Sequence, residues 1–222
     1  MNKIKNIYRN LFKKHGDSPI SVKARDKKQQ YNRFKNLIRC CEISKDDTIL
    51  DLGCGSGEFY EFVKKFKISK YCGVDFLDEF IIVGRKKYKN IKKVKFKKLN
   101  FETKLLPKNY DWIFLSGSFN DKKKNSKQIM YKTLKKMYGA CKKGIVFNSL
   151  SKHVDYEDSK LFYSSPEDVL KFSAKNLSKF YVLRSDYQLK KDTIPFEYSM
   201  CIKKKIWKKD FFLKKSKLKI KL

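Results

Sequence analysis

Histidine is scarce in this 222-residue chain, arginine is nearly so, and no long apolar run breaks up its charge. Two histidines leave little room for a His-built metal centre or a His-based protease site. The apolar runs, Trp112 to Leu115 among them, fall far short of the ~20 residues that span a bilayer, which excludes a transmembrane protein. Met1 to Gly16 is basic but lacks the apolar centre of a secretory signal. The six cysteines form no CxxC pair, so neither a zinc cluster nor a redox dithiol is expected, and the expected compartment is a reducing cytoplasm. There is no internal repeat and no Gly/Ser linker. One domain is expected over residues 1–202, including a helical lead-in over 1–46, followed by a Lys-rich tail over 203–222.

What is present supports a folded core: 41% apolar and 15% aromatic residues, despite 35% charged ones. Lys and Arg number 55 against 23 Asp and Glu, a net charge of +32. Only six of the 55 are Arg (Arg9, Arg25, Arg33, Arg39, Arg85 and Arg184), whereas nucleic-acid readers favour the bidentate Arg fork. Compositional drift toward Lys and a solvated surface both account for such a ratio. The field still attracts polyanions, so weak, non-specific polyanion binding is an open expectation. The tail is densest in Lys and carries Ile206, Trp207, Phe211, Phe212 and Leu213, as either an amphipathic segment for an anionic surface or a frayed end.

From Thr48 onward, short apolar runs alternate with helix-like stretches, the pattern of a parallel α/β sheet covered by helices on both faces. Strands are expected over Thr48–Leu52, Tyr71–Val74, Val94–Lys98, Trp112–Leu115, Ile145–Asn148, Phe180–Leu183 and Glu197–Ile202. Helical spacing marks Glu58–Phe66, Asp78–Tyr88, Ser126–Tyr138 and Pro166–Ala174. Ahead of the sheet, Lys28–Cys41 puts Tyr31, Phe34, Leu37, Ile38 and Cys41 on one face. Arg184 to Pro195 is too short for a crossover helix, so the last two strands pair as an antiparallel hairpin: seven strands, the last reversed.

The sharpest signal is Asp51-Leu52-Gly53-Cys54-Gly55-Ser56-Gly57, between the first strand and the helix opening at Glu58. Such glycines permit a tight strand-to-helix turn and let a ligand approach bare backbone. Neither frame completes the GxGxxG of a dinucleotide loop, because the last position is Glu58 or Tyr60, and GxxxxGK[ST] fails as well. The next strand ends Gly73-Val74-Asp75, where a carboxylate can hold both ribose hydroxyls. Together these residues describe a loop for an adenosyl ligand without a pyrophosphate.

At these residues the chain resembles the class I S-adenosylmethionine (SAM)-dependent methyltransferases, whose fold is Rossmann-like. Asp51 to Gly57 resembles their first motif, D-x-G-x-G-x-G, and Asp75 their acidic ribose ligand. Leu99-Asn100-Phe101 lies where the family places its adenine-edge residue, with Asn100 in place of the usual Asp. Tyr110 to Gly117, ending in Ser116-Gly117, resembles the fourth motif, beside the methyl group. The resemblance spans roughly Asp47 to Ile202. A softer likeness, to a bacterial subgroup of mostly unassigned substrate, rests on His15 to Pro19, Gln30 to Phe34, Ser116 to Asn120, Asp155-Tyr156 and Ser185 to Tyr187.

The resemblance implies SAM as cofactor and no metal. Gln30 and Arg33, one turn apart, suit the donor's carboxylate, with a surface role for Arg33 as the alternative. Phe76 either flanks the adenosine or is a core or lid aromatic. His153 reads better as a surface residue than as a base, and Asp155, Tyr156, Asp186 and Tyr187 either line an acceptor pocket or tie down loops. No Asn-Pro-Pro-Tyr or Asp-Pro-Pro-Tyr run follows the fourth strand, against a nucleobase amino-methylase. The expected acceptor is a small or sugar-like metabolite methylated at oxygen. The alternatives are an RNA methyltransferase and a non-catalytic SAM-binding protein.

Overall fold

Apolar residues at alternate positions of the strands build a sheet with two buried faces. The computed structural model describes residues 2–191 and 193–204. The lead-in holds α1 (Asn2–His15), a 3-10 turn (Pro19–Val22) and α2 (Lys27–Ile38). The sheet region follows as β1 (Thr48–Leu52), α3 (Glu58–Val63), β2 (Lys70–Asp75), α4 (Asp78–Lys87), β3 (Val94–Lys98), β4 (Tyr110–Leu115), α5 (Ser126–Ala140), β5 (Cys141–Ser151), β6 (Tyr163–Ser164), α6 (Pro166–Asn176), β7 (Tyr181–Arg184) and β8 (Glu197–Lys203). The strand order is β3-β2-β1-β4-β5-β8-β7, with β6 added beside the end of β5.

All seven expected strands are present, and β8 runs antiparallel to both β5 and β7, as the short Arg184 to Pro195 link requires. The period of two shows directly in the core. Leu50, Leu52, Ile113 and Leu115 face α5 and α6 through Met130, Leu134, Met137 and Val169. Their neighbours Ile49, Trp112 and Phe114 face α2, α3 and α4 through Phe34, Leu37, Phe59, Val63 and Ile81. Helix starts follow local chemistry: Asp26 caps α2 by accepting from the Gln29 amide at 2.7 Å, and Ser165 caps α6 ahead of Pro166.

The helix α1 falls in the expected helical lead-in, for which no bounds of its own were expected. Two features depart from expectation. The expected helix over Glu58–Phe66 divides into α3 and a 3-10 turn (Lys64–Phe66). The expected seven strands become eight, because β5 extends to Ser151 and pairs there with the two-residue β6. From residue 205 on, the expected tail, with Ile206, Trp207 and Phe211 to Leu213, lies outside the described residues.

Candidate active site

The sheet order reverses between β1 and β4, and loops leaving the carboxyl ends of strands on either side of such a point diverge to leave a crevice. A cavity of about 350 Å³ occupies it. Over β1 and β2 it is lined by Asp51, Gly53, Cys54, Gly55, Asp75 and Phe76, and over β3 by Asn100, Phe101 and Glu102. Over β4, β5 and β8 the lining is Ser116, Gly117, Ser118, Asn120, Leu150 and Phe196, while α2 contributes Gln30 and Arg33. Of the residues expected to hold the donor, Gly57 alone stands outside the lining. Its φ of +97° and the Phe96 ring, 2.5 Å from where a Cβ would sit, give it a turn-forming and packing role.

The glycine loop is pinned to the neighbouring strand. Gly53 and Cys54 amides donate to the Val74 carbonyl at 2.8 and 3.1 Å. Gly53 and Gly55 both hold positive φ, +71° and +53°, where a side chain would be strained. The Gly55 amide donates to Asp75 Oδ2 at 3.0 Å and the Leu77 amide to Oδ1 at 2.9 Å. These two amides take two of the carboxylate's acceptor positions, and the Phe76 amide also bears on it. Burial raises the Asp75 pKa to about 6, against the pull of these amides. Asp51 accepts from the Tyr71 hydroxyl at 2.5 Å, and burial pushes its pKa up to about 7.

On the α2 side, Arg33 is no surface residue: its side chain is 12% exposed and its Nε donates to the fully buried Glu197 at 2.9 Å. A Cβ built on Gly117 would lie 3.7 Å from Arg33 Nη1, so the guanidinium reaches the loop after β4. Gln30 is buried, and its Oε1 has no hydrogen-bond partner. Asn100 Oδ1 accepts from the Glu102 amide at 3.0 Å, closing the turn after β3.

The lead-in roofs the cavity with Ile4, Tyr8, Val22, Lys23 and Ala24. Tyr8 packs edge-on against Phe76 and donates to Asp121 Oδ2 at 2.8 Å, and Lys23 pairs with Asp121 Oδ1. Burial and the Asp121 carboxylate raise the Tyr8 pKa well above its ordinary value, so it serves as a hydrogen-bond donor. Arg9 pairs with Glu79 at 2.7 Å, Phe12 packs edge-on against Phe80, and the Ser56 hydroxyl of the glycine loop bonds Asp17.

Sequence reasoning did not single out Tyr8, Lys23, Asn120 or Asp121 for this cavity, although Asn120 closes one of the resembling segments. Ile4, Tyr8, Leu11, Phe12 and His15 recur at helical spacing, and that was the available signal. Asp155, Tyr156, Asp186 and Tyr187 are absent from the lining. Tyr156 is 79% exposed, whereas Tyr187 is buried against Ser199. His153 lies on the surface beside Glu167.

A methyltransferase-domain family model matches residues 43–208, more than half of the chain. The chain belongs to this methyltransferase family. It is a class I SAM-dependent methyltransferase, and its cofactor is SAM. Among curated proteins none matches the chain significantly. Solved structures share the fold at low identity. The N-methyltransferase NodS from Bradyrhizobium japonicum, in complex with S-adenosylhomocysteine, superposes with a TM-score of 0.63 at 14% identity, over 89% of this chain and 98% of NodS. Magnesium protoporphyrin IX methyltransferase from Synechocystis, with the same product bound, gives 0.59 at 10% identity, over 89% and 93%. The SAM-dependent methyltransferase SibL gives 0.61 at 10% identity, and this chain spans about half of SibL's length (55%). The methyltransferase's own residues fit the donor: bare left-handed glycine backbone, a carboxylate with acceptor capacity left over, and an orphaned buried amide oxygen all line one cavity. No helix among the described residues is long and apolar enough to cross a membrane.

Proposed function

We propose that this methyltransferase transfers the methyl group of SAM to a small molecule held beside the donor in the capped cavity. In this reading Gly53 and Gly55 pass the donor under bare backbone, and Asp75 accepts from the two ribose hydroxyls with the positions its amide partners leave. Phe76 and Phe101 border the adenosine, with Asn100 at its edge and Asp51 beneath the loop. The Nη groups of Arg33 face the carboxylate of the methionine moiety, and Gln30 Oε1 accepts from its ammonium. Ser116 and Gly117 floor the reacting end. Bound SAM supplies an electrophilic methyl on its sulfonium, so the protein's task is in-line positioning and exclusion of water.

The observation that carries the small-acceptor reading is the roof. The lead-in closes over the cavity through Tyr8, Val22 and Lys23, while each cavity lysine already faces a carboxylate: Lys23 with Asp121 and Lys123 with Glu102. An oxygen acceptor suits this lining, as does an amine. A second reading, methylation of RNA, is favoured only by the net charge of +32. We assign that charge to weak, non-specific polyanion binding on the outer surface. Free thiols at Cys40, Cys41, Cys54, Cys72 and Cys141 suit the reducing cytoplasm expected for this enzyme.

Methyl-labelled SAM, supplied with size-separated small-molecule and RNA fractions of a cell extract, tests the proposal. Label is expected in the small-molecule fraction at a rate that varies little with salt. RNA-dependent turnover that falls with salt, at a log–log slope near −0.7 per single-strand phosphate contacted, would overturn it.

A further inference from the structure

A chain with a net charge of +32 surrounds a cavity whose lining is not cationic. Its three cationic side chains are each engaged. Lys23 pairs with Asp121, Lys123 pairs with Glu102, and Arg33 gives its Nε to Glu197 at 2.9 Å. Asp51 and Asp75 add two further carboxyl groups that no cation among the described residues neutralises. If Arg33 also takes the donor's carboxylate, nothing cationic in the described lining is left for a phosphate or carboxylate on the acceptor.

The loop after β4 holds a different feature. Asn120 Oδ1 is buried and has no hydrogen-bond partner. Its backbone is fixed: the amide donates to the Gly117 carbonyl at 3.3 Å, and its carbonyl accepts from the Phe162 amide at 2.9 Å. Asn120 lines the cavity together with the apolar Leu150, Leu161 and Phe196, and Asp121 follows it in sequence. A buried acceptor left unsatisfied costs free energy, and a ligand that donates to it recovers that cost.

We infer that the acceptor is a hydroxyl- or amine-bearing small molecule without net negative charge, and that it is read by donation to Asn120 Oδ1 over an apolar floor. This rests on the small-molecule reading above and narrows it to a chemical class. Asn120 acts here as a specificity-determining residue, while Asp121, its charge paired with Lys23, holds the Tyr8 and Lys23 roof.

The test separates a small-molecule extract by ion exchange into cationic, neutral and anionic pools and incubates each with the full chain and labelled SAM. Label is expected in the cationic or neutral pool. Label confined to the anionic pool, or absent from every small-molecule pool, overturns the inference; label confined to RNA overturns the small-molecule reading itself. With the labelled pool titrated as acceptor, Asn120→Leu should raise the half-saturating amount at least tenfold, while Asn120→Asp, which keeps an oxygen there, stays within threefold of the parent. SAM affinity by calorimetry should change less than twofold in both, a split that a merely structural role would not produce. An Asn120→Leu variant that matches the parent, or an Asn120→Asp variant that loses as much as Asn120→Leu, contradicts the assignment.

Discussion

Asp75 is buried, yet two backbone amides hold it in place, and the balance of these effects sets a pH dependence. Burial raises its pKa from 3.8 to about 6 in the folded chain. Between those values the folded state binds more protons than the unfolded one, so this group's contribution to stability declines as pH rises through the window. Donor binding runs the other way, because ribose hydroxyls donate best to the ionised carboxylate. SAM affinity is therefore expected to rise by up to about tenfold from pH 5 to pH 7, the ratio set by one pH unit below the pKa. Asp51, with a pKa of about 7, extends the slope upward. Calorimetry across this range checks the profile, and a flat one contradicts the role given to Asp75. The sequence alone placed Asp75 correctly at a strand end. It did not show that Gly55 and Leu77 amides occupy half of the acceptor capacity there, because that depends on how the glycine loop folds back over β2.

At the level of elements, the roof formed by α1 and the 3-10 turn is what separates this site from an open crevice. Its docking is polar and aromatic at once: Tyr8 to Asp121, Arg9 to Glu79, and Phe12 against Phe80. Removing the Tyr8 hydroxyl leaves the ring on Phe76 but withdraws one donor to a carboxylate, an interaction of about 1.5–3 kcal/mol. Tyr8→Phe should thus speed release of the donor by roughly tenfold or more, which stopped-flow dissociation of bound SAM measures. An unchanged release rate would mean that the roof does not gate the site. The strands were legible because a period of two over buried runs has few other readings. The bounds of α1 were not: its apolar stripe is interleaved with Lys3, Lys5, Lys13 and Lys14, so the segment read only as the basic start of a helical lead-in. The two-residue β6 exists only through its pairing with the end of β5, which no local pattern encodes.

For the molecule as a whole, the excess of lysine is an exterior property, whereas the cavity is close to charge balance. That distribution is invisible in one dimension, where Lys23 and Asp121 lie 98 residues apart and Arg33 and Glu197 lie 164 apart. The cavity above β1 and β2 is where the methyltransferase is expected to hold SAM. Calorimetry of SAM against the full chain and against Asp75→Ala at pH 7.5, with folding of both checked by thermal melts, tests it most directly. Losing one charge-assisted bond of about 1.5–3 kcal/mol weakens binding at least tenfold, and losing two weakens it more. A single site in the parent chain and at least that tenfold loss in a folded Asp75→Ala variant are expected; equal affinity in the two proteins would contradict this placement of SAM.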